Sequence, residues 1–120
     1  MTREIKFRSW DKILKIMCYN PVNAINFNGQ FLLNDGKFHD INKTDYILMQ
    51  YTGLKDKNGK EIYEGDIVKY DGELTTVIFC YGSFFLEKFN FRSTDWVNAD
   101  YMIVKGNIYE NHELIGDKND

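Results

Sequence analysis

The sequence predicts a mainly β protein, on three observations: the spacing of its turn signals, the patterning of the runs between them, and its composition. Asn28-Gly29, Asp35-Gly36, Asn58-Gly59 and Asp71-Gly72 are four Asx-Gly dipeptides. Each can supply the positive φ angles that a tight hairpin turn requires. The runs between them are short and either alternate in polarity or are continuously apolar. Aromatic residues make up 16% of the chain and there is a single proline, Pro21, which favours strands. With 43% hydrophobic and 28% charged residues, a disordered chain is excluded, because enough apolar area is available to offset the entropy of ordering. Turn signals spaced about 8–12 residues apart point to a small barrel or sandwich and not to a βαβ fold.

Taken in order, Ile5-Lys6-Phe7-Arg8 alternates in polarity. Asn23-Ala24-Ile25-Asn26-Phe27 alternates into Asn28-Gly29 and then Phe31-Leu32-Leu33. Tyr46-Ile47-Leu48-Met49 is continuously apolar, as expected of a strand buried on both faces. Asp66–Tyr70 runs into Asp71-Gly72, and Thr75–Tyr81 runs into Gly82-Ser83. Phe84–Phe89 follows that turn, and Met102–Lys105 is the last strong run. No long amphipathic helix is present. Short helical turns are expected near residues 93–98, with Ser93 as cap, and near 110–114. The expected organisation is an N-terminal β-hairpin or meander unit over 1–50, packed against a second β unit over 51–115. The polar residues 116–120 form a frayed tail.

The 120 residues carry a net charge of −3, which gives no global electrostatic case for nucleic acid. Locally, residues 1–18 hold five basic against two acidic side chains, whereas residues 61–109 hold four basic and eight acidic ones. Two solvated faces of opposite sign explain this, so nucleic acid is a possible partner but not the favoured one. The start MTREIKFRSW has no apolar core of a signal peptide, and no stretch approaches 18 apolar residues. The expectation is a cytoplasmic protein of a bacterial host with no membrane partner. Cys18 and Cys80 stand alone and read as free thiols in small apolar core or interface positions.

No constellation of residues carries chemistry. Glu61, Glu64, Asp66, Asp71 and Glu73 do not match a calcium loop, and His39 and His112 add no clustered ligand set, so no metal and no cofactor are expected. Ser83 and Ser93 lie in no nucleophile pattern, and Cys80 sits in an apolar run where its thiol is not activated. The chain is therefore not expected to be an enzyme. Its most distinctive feature is aromatic: Phe79, Tyr81, Phe84, Phe85, Phe89, Phe91 and Trp96 lie within 18 residues. Strand alternation puts Phe85, Phe89 and Phe91 on one face and Phe84 on the other. A small barrel buries only one such face. The other set packs on the N-terminal half of the same chain, on a second copy through uncharged strand edges, or, least in keeping with this acidic half, on single-stranded nucleic acid bases. Phe84, Phe85, Phe89, Phe91 and Trp96 are accordingly the candidate interaction surface.

Three segments resemble the YopX family of phage and prophage proteins: Arg3–Arg8 with Trp10-Asp11, Lys15 and Met17; the long motif Met49–Val68; and Gly106–Leu114. The chain departs from the family pattern at His112, where proline is common, and residues 19–46 carry no recognised pattern. The resemblance implies an SH3-like small barrel in the C-terminal half and an origin in temperate phages or prophages of Gram-positive bacteria. It implies no catalytic residues. In the central motif, Gly59 suits a left-handed turn position, and Asp66 suits an Asx-turn leading into the strand Ile67–Tyr70. The expected function is that of a non-enzymatic accessory protein acting through protein–protein contacts, as a homo-oligomer or with a phage or host protein. The alternative is a nucleic-acid-binding SH3-like module.

Overall fold

The computed structural model describes residues 5–25, 28, 30–40, 45–80, 82–89, 91–92 and 99–116, with backbone only at 23–25 and 91–92. The protein is mainly β, and it divides into two compact units, Met1–Tyr51 and Thr52–Asp120.

In the first unit, β1 (Phe7–Asp11) turns back into β2 (Ile16–Tyr19) and pairs on its other side with the start of β6 (Tyr46–Lys55). All pairings are antiparallel, with Trp10 opposite both Met17 and Ile47. Being the central strand, β1 buries Arg8, Ser9 and Trp10 in succession. The expected strand over Ile5–Arg8 is therefore displaced: it begins at Phe7, and Ile5 is exposed. β3 (Val22–Ile25), β4 (Phe31–Leu33) and β5 (Phe38–His39) form a separate three-stranded antiparallel meander. The Phe31 ring lies edge-on to Phe7 at 6.1 Å. The run Tyr46–Met49 is not buried on both faces as its composition suggested, since only Met49 is buried. Its other residues are half-buried, Tyr46 opposite Asp11, Ile47 opposite Trp10 and Leu48 opposite Ser9.

The second unit takes the last residues of β6 and adds β7 (Glu61–Tyr63), β8 (Asp66–Tyr70), β9 (Glu73–Cys80), β10 (Ser83–Leu86), β11 (Phe91–Arg92) and β12 (Ile103–Asn107). β8 to β12 form one five-stranded sheet in the order β11-β10-β9-β8-β12, consistent with the expected SH3-like barrel. Asp71 and Gly72, with φ of 53° and 79°, close the β8–β9 hairpin as the two central residues of a type I′ turn. The core gathers Ile62, Val68, Val77, Phe84, Leu86, Ala99 and Met102, with Leu54, Tyr70, Phe89 and Val104 packed around it. The helical turn expected near 110–114 is a 3-10 turn over His112–Ile115. The one expected at 93–98 lies outside the described residues. Among the described residues, no helix is long and apolar enough to cross a membrane.

Candidate functional site

Three features can be weighed as sites: the polar residues of the sequence motifs, the aromatic group, and the exposed apolar surface.

The motif residues are occupied by the backbone around them. The Asp56 carboxylate is almost fully buried. Its Oδ1 accepts from the amides of Asn58 (2.8 Å) and Lys60 (2.9 Å), and its Oδ2 accepts from the amide of Val104 (2.8 Å). One side chain thus closes the β6–β7 hairpin and joins it to β12. Burial raises its pKa, but the three backbone donors and the nearby Lys60 charge outweigh that, so it lies below its ordinary value. Asp66 accepts from the Tyr63 amide at 2.7 Å. The donor lies three residues before it, so the carboxylate bridges back across the Glu64-Gly65 corner and does not form the forward Asx-turn expected. Gly65 donates its amide to the Val77 carbonyl and accepts from the Ile108 amide, tying the Glu64-Gly65-Asp66 corner to the segment after β12. There Asn107 Oδ1 accepts from the amides of Tyr109 and Glu110, while Asn107 Nδ2 donates to Glu110 Oε1 at 2.8 Å. Asn111 Oδ1 accepts from the Asn107 amide, and its side chain sits so close that a Cβ at Gly106 would lie 2.4 Å from it. The long central motif and the C-terminal motif are therefore two halves of one hydrogen-bonded corner. Among the described residues, no group of three His, Cys, Asp or Glu could hold a metal ion.

The aromatic residues do not share one exposed surface. Phe84 is 2% exposed and belongs to the core. Phe85, on the opposite face of β10, is half-buried. The alternation that grouped Phe89 with Phe85 fails because β10 ends at Leu86. Residues 87–89 form a turn, held by the Phe89 amide donating to the Leu86 carbonyl at 2.9 Å. That turn folds Phe89 onto the core, edge-on to Tyr70 at 5.3 Å. Phe79, half-exposed on β9, leans on Phe84 at 4.9 Å. The side chain of Phe91, and all of Trp96, lie outside the described residues. The uncharged strand edges invoked for self-association are also covered, since β9 and β10 are interior strands with a neighbour on each side.

Among the described residues, exposed large apolar side chains are most concentrated on the β1–β2 hairpin, with Ile5, Phe38, Phe79, Tyr101 and Leu114 exposed elsewhere. Asp11 Oδ1 accepts from the amides of Ile13 and Leu14, both at 2.9 Å. Its carbonyl accepts from Lys15, which adopts a left-handed φ of 61°. This capped turn holds Ile13 (68% exposed) and Leu14 (66%) out into solvent between Lys12 and Lys15. Ile16 and Tyr19 on β2 are also exposed, on opposite faces of the strand. Cys18, also on β2, is exposed, so of the core or interface positions expected it does not take the core one; among the described residues β2 pairs only with β1. Cys80 is half-buried, and both thiols are free. Sequence reasoning passed over Lys12–Lys15 because turn tips are ordinarily polar. Two adjacent aliphatics bracketed by lysines, just before a strand, were the available signal. In the second unit, an open cleft of about 770 Å³ is lined by Leu74, Leu114 and Ile115 together with Glu73, Glu87 and Lys88.

The YopX protein family model matches residues 6–116. The chain belongs to the YopX family. Protein EF1440 from Enterococcus faecalis has a similar crystal structure, with a TM-score of 0.72 and 30% identity over 95% of this chain and 99% of that one. YopX from Bacillus subtilis is also similar, with a TM-score of 0.63 and 25% identity over 93% of this chain and 96% of its own. No curated protein is significantly similar in sequence. The YopX match spans both units. In this chain Asp56, Gly65 and Asp66 of the central motif and Gly106 and Asn107 of the C-terminal one build the corner.

Proposed function

We propose that this YopX-family chain is a non-enzymatic accessory protein of phage or prophage origin, working in the bacterial cytoplasm through protein–protein contacts that begin with self-association. The observation that carries this reading is the concentration of exposed large apolar side chains on one hairpin: Ile13, Leu14, Ile16 and Tyr19 all lie within seven positions. Scattered surface apolar residues need no explanation, but two adjacent aliphatic side chains held out on a capped turn, Ile13 and Leu14, do. The polar side chains of the motifs, by contrast, are engaged in holding turns. Light scattering after size-exclusion chromatography at micromolar concentration tests the proposal. One chain has a mass of 14.2 kDa. A larger mass supports self-association, and the single-chain mass, unchanged on concentrating the sample, rejects it.

The alternative, a nucleic-acid-binding module, draws on the basic excess in residues 1–18. One of those five basic side chains, Arg8, is buried and unavailable to phosphates. Association with a labelled single-stranded oligonucleotide that falls steeply as salt rises would favour this alternative.

A further inference from the structure

We infer that copies of this chain associate head to tail, the β1–β2 tip of one copy docking into the cleft beside β9 and the C-terminal 3-10 turn of the next. This deepens the self-association proposed above and rests on it.

The two surfaces complement each other in charge and polarity. The tip offers two adjacent aliphatic side chains, Ile13 and Leu14, each about two-thirds exposed, flanked by the exposed Lys12 and Lys15. Neither ammonium group has an ion-pair partner among the described residues. The cleft offers the reverse: Leu74, Leu114 and Ile115 for the aliphatic side chains, and Glu73 and Glu87 for the lysines. Among the described residues, Glu73 makes a loose surface pair with Lys88 at 3.6 Å, and the Glu87 carboxylate has no ion-pair partner. The volume of about 770 Å³ falls within the roughly 300–1,000 Å³ of sites that accept compact, mostly apolar ligands. The tip is already ordered by the Asp11 cap, so docking it costs little loop entropy.

A two-fold contact between tips would instead bring Lys12 and Lys15 of both copies together, opposing like charges. A tip-to-cleft contact is heterologous, and such contacts close into rings or continue as filaments. The same tip chemistry, aliphatic with a lysine on each side, would also suit an anionic lipid surface. The cleft on the same chain favours a second copy as the occupant.

The test uses two principal variants of the full chain and a third that repeats the tip test. Ile13→Asp/Leu14→Asp disables the tip, and Glu73→Lys/Glu87→Lys disables the cleft by repelling the lysines. All four positions are on the surface or in the cleft rim, and far-UV circular dichroism checks that both variants fold. Lys12→Glu/Lys15→Glu repeats the tip test without altering the aliphatic side chains. Each variant alone is expected to run at the mass of one chain, 14.2 kDa. An equimolar mixture retains one competent tip and one competent cleft. It should therefore form a pair of twice the single-chain mass and stop there. Such a capped pair is not expected of an isologous interface.

A wild-type oligomer whose mass survives in both variants, or a mixture that stays at one chain, overturns the tip-to-cleft contact while leaving self-association standing. A monomeric wild type removes both. If that monomer sediments with phosphatidylserine vesicles and Ile13→Asp/Leu14→Asp does not, the tip belongs to a membrane and the inference is likewise overturned.

Discussion

Asp56 is the residue whose replacement should test the architecture of the second unit most severely. Its buried carboxylate accepts three backbone amides, from Asn58, Lys60 and Val104, at 2.8–2.9 Å. Hydrogen bonds to a charged group contribute roughly 1.5–3 kcal/mol each, so the three together set an upper limit of about 4.5–9 kcal/mol. Asn58 and Lys60 are exposed, and in Asp56→Ala their amides recover water. The Val104 amide, on half-buried β12, recovers less. A net loss of about 3 kcal/mol follows, which for a chain of this length is a fall of roughly 12 °C in Tm. Asp56→Asn keeps one acceptor and turns an NH2 group towards a backbone N–H, so it should lose about half as much.

The pH dependence gives a second readout. The folded-state pKa of Asp56 lies below its ordinary value of 3.8, so the carboxylate stabilises the fold fully above that value. That contribution is lost as pH falls through the lower folded-state pKa. The difference between wild type and Asp56→Asn should hold steady from pH 7 to about 5 and narrow below about pH 4. Urea unfolding across this range measures it. Wild type and Asp56→Ala agreeing within about 0.5 kcal/mol at pH 7 would refute the reasoning.

The remaining predictions concern other parts of the chain. Gly59, at φ +82° with open space around it, should tolerate Asn but lose about 1–2 kcal/mol as Val, purely from backbone strain; equal melting temperatures for the two variants would contradict this. Gly106→Ala forces a methyl group against Asn111 and should destabilise the protein by about 1–3 kcal/mol. Adding Asn111→Gly should cost less than its effect in wild type, and a double-mutant cycle measures that coupling. Thiol titration should find two free cysteines in denaturant, and in the native protein Cys18 should react faster than Cys80, because it is the more exposed. No difference in native rate would show that β2 is covered.

What was legible in the sequence is what depends on neighbours along the chain. The mainly β class followed from strand-length runs and Asx-Gly turns, and three of those turns appear with positive-φ glycines at Gly36, Gly59 and Gly72. That Asp66 caps a local amide was legible for the same reason, since its donor lies three residues away, although that donor precedes it and the bond is not the Asx-turn expected. Alternation failed at Phe89 because it holds only while a strand continues, and the turn after Leu86 reverses the chain before the next residue of that face. It failed for Tyr46–Met49 because burial depends on what covers a strand, and an apolar run does not state that. The link from Asp56 to Val104 spans 48 positions, and the contact of Gly106 with Asn111 depends on how the chain bends after β12. The exposed Ile13-Leu14 tip is the sharpest case. Composition would bury two adjacent aliphatics, but the Asp11 cap and the pairing of β1 with β2 leave them pointing into solvent. Local order is set by steric and hydrogen-bond rules over a few residues. Exposure and long-range partnership are set by the whole fold, so the tertiary structure alone decided them.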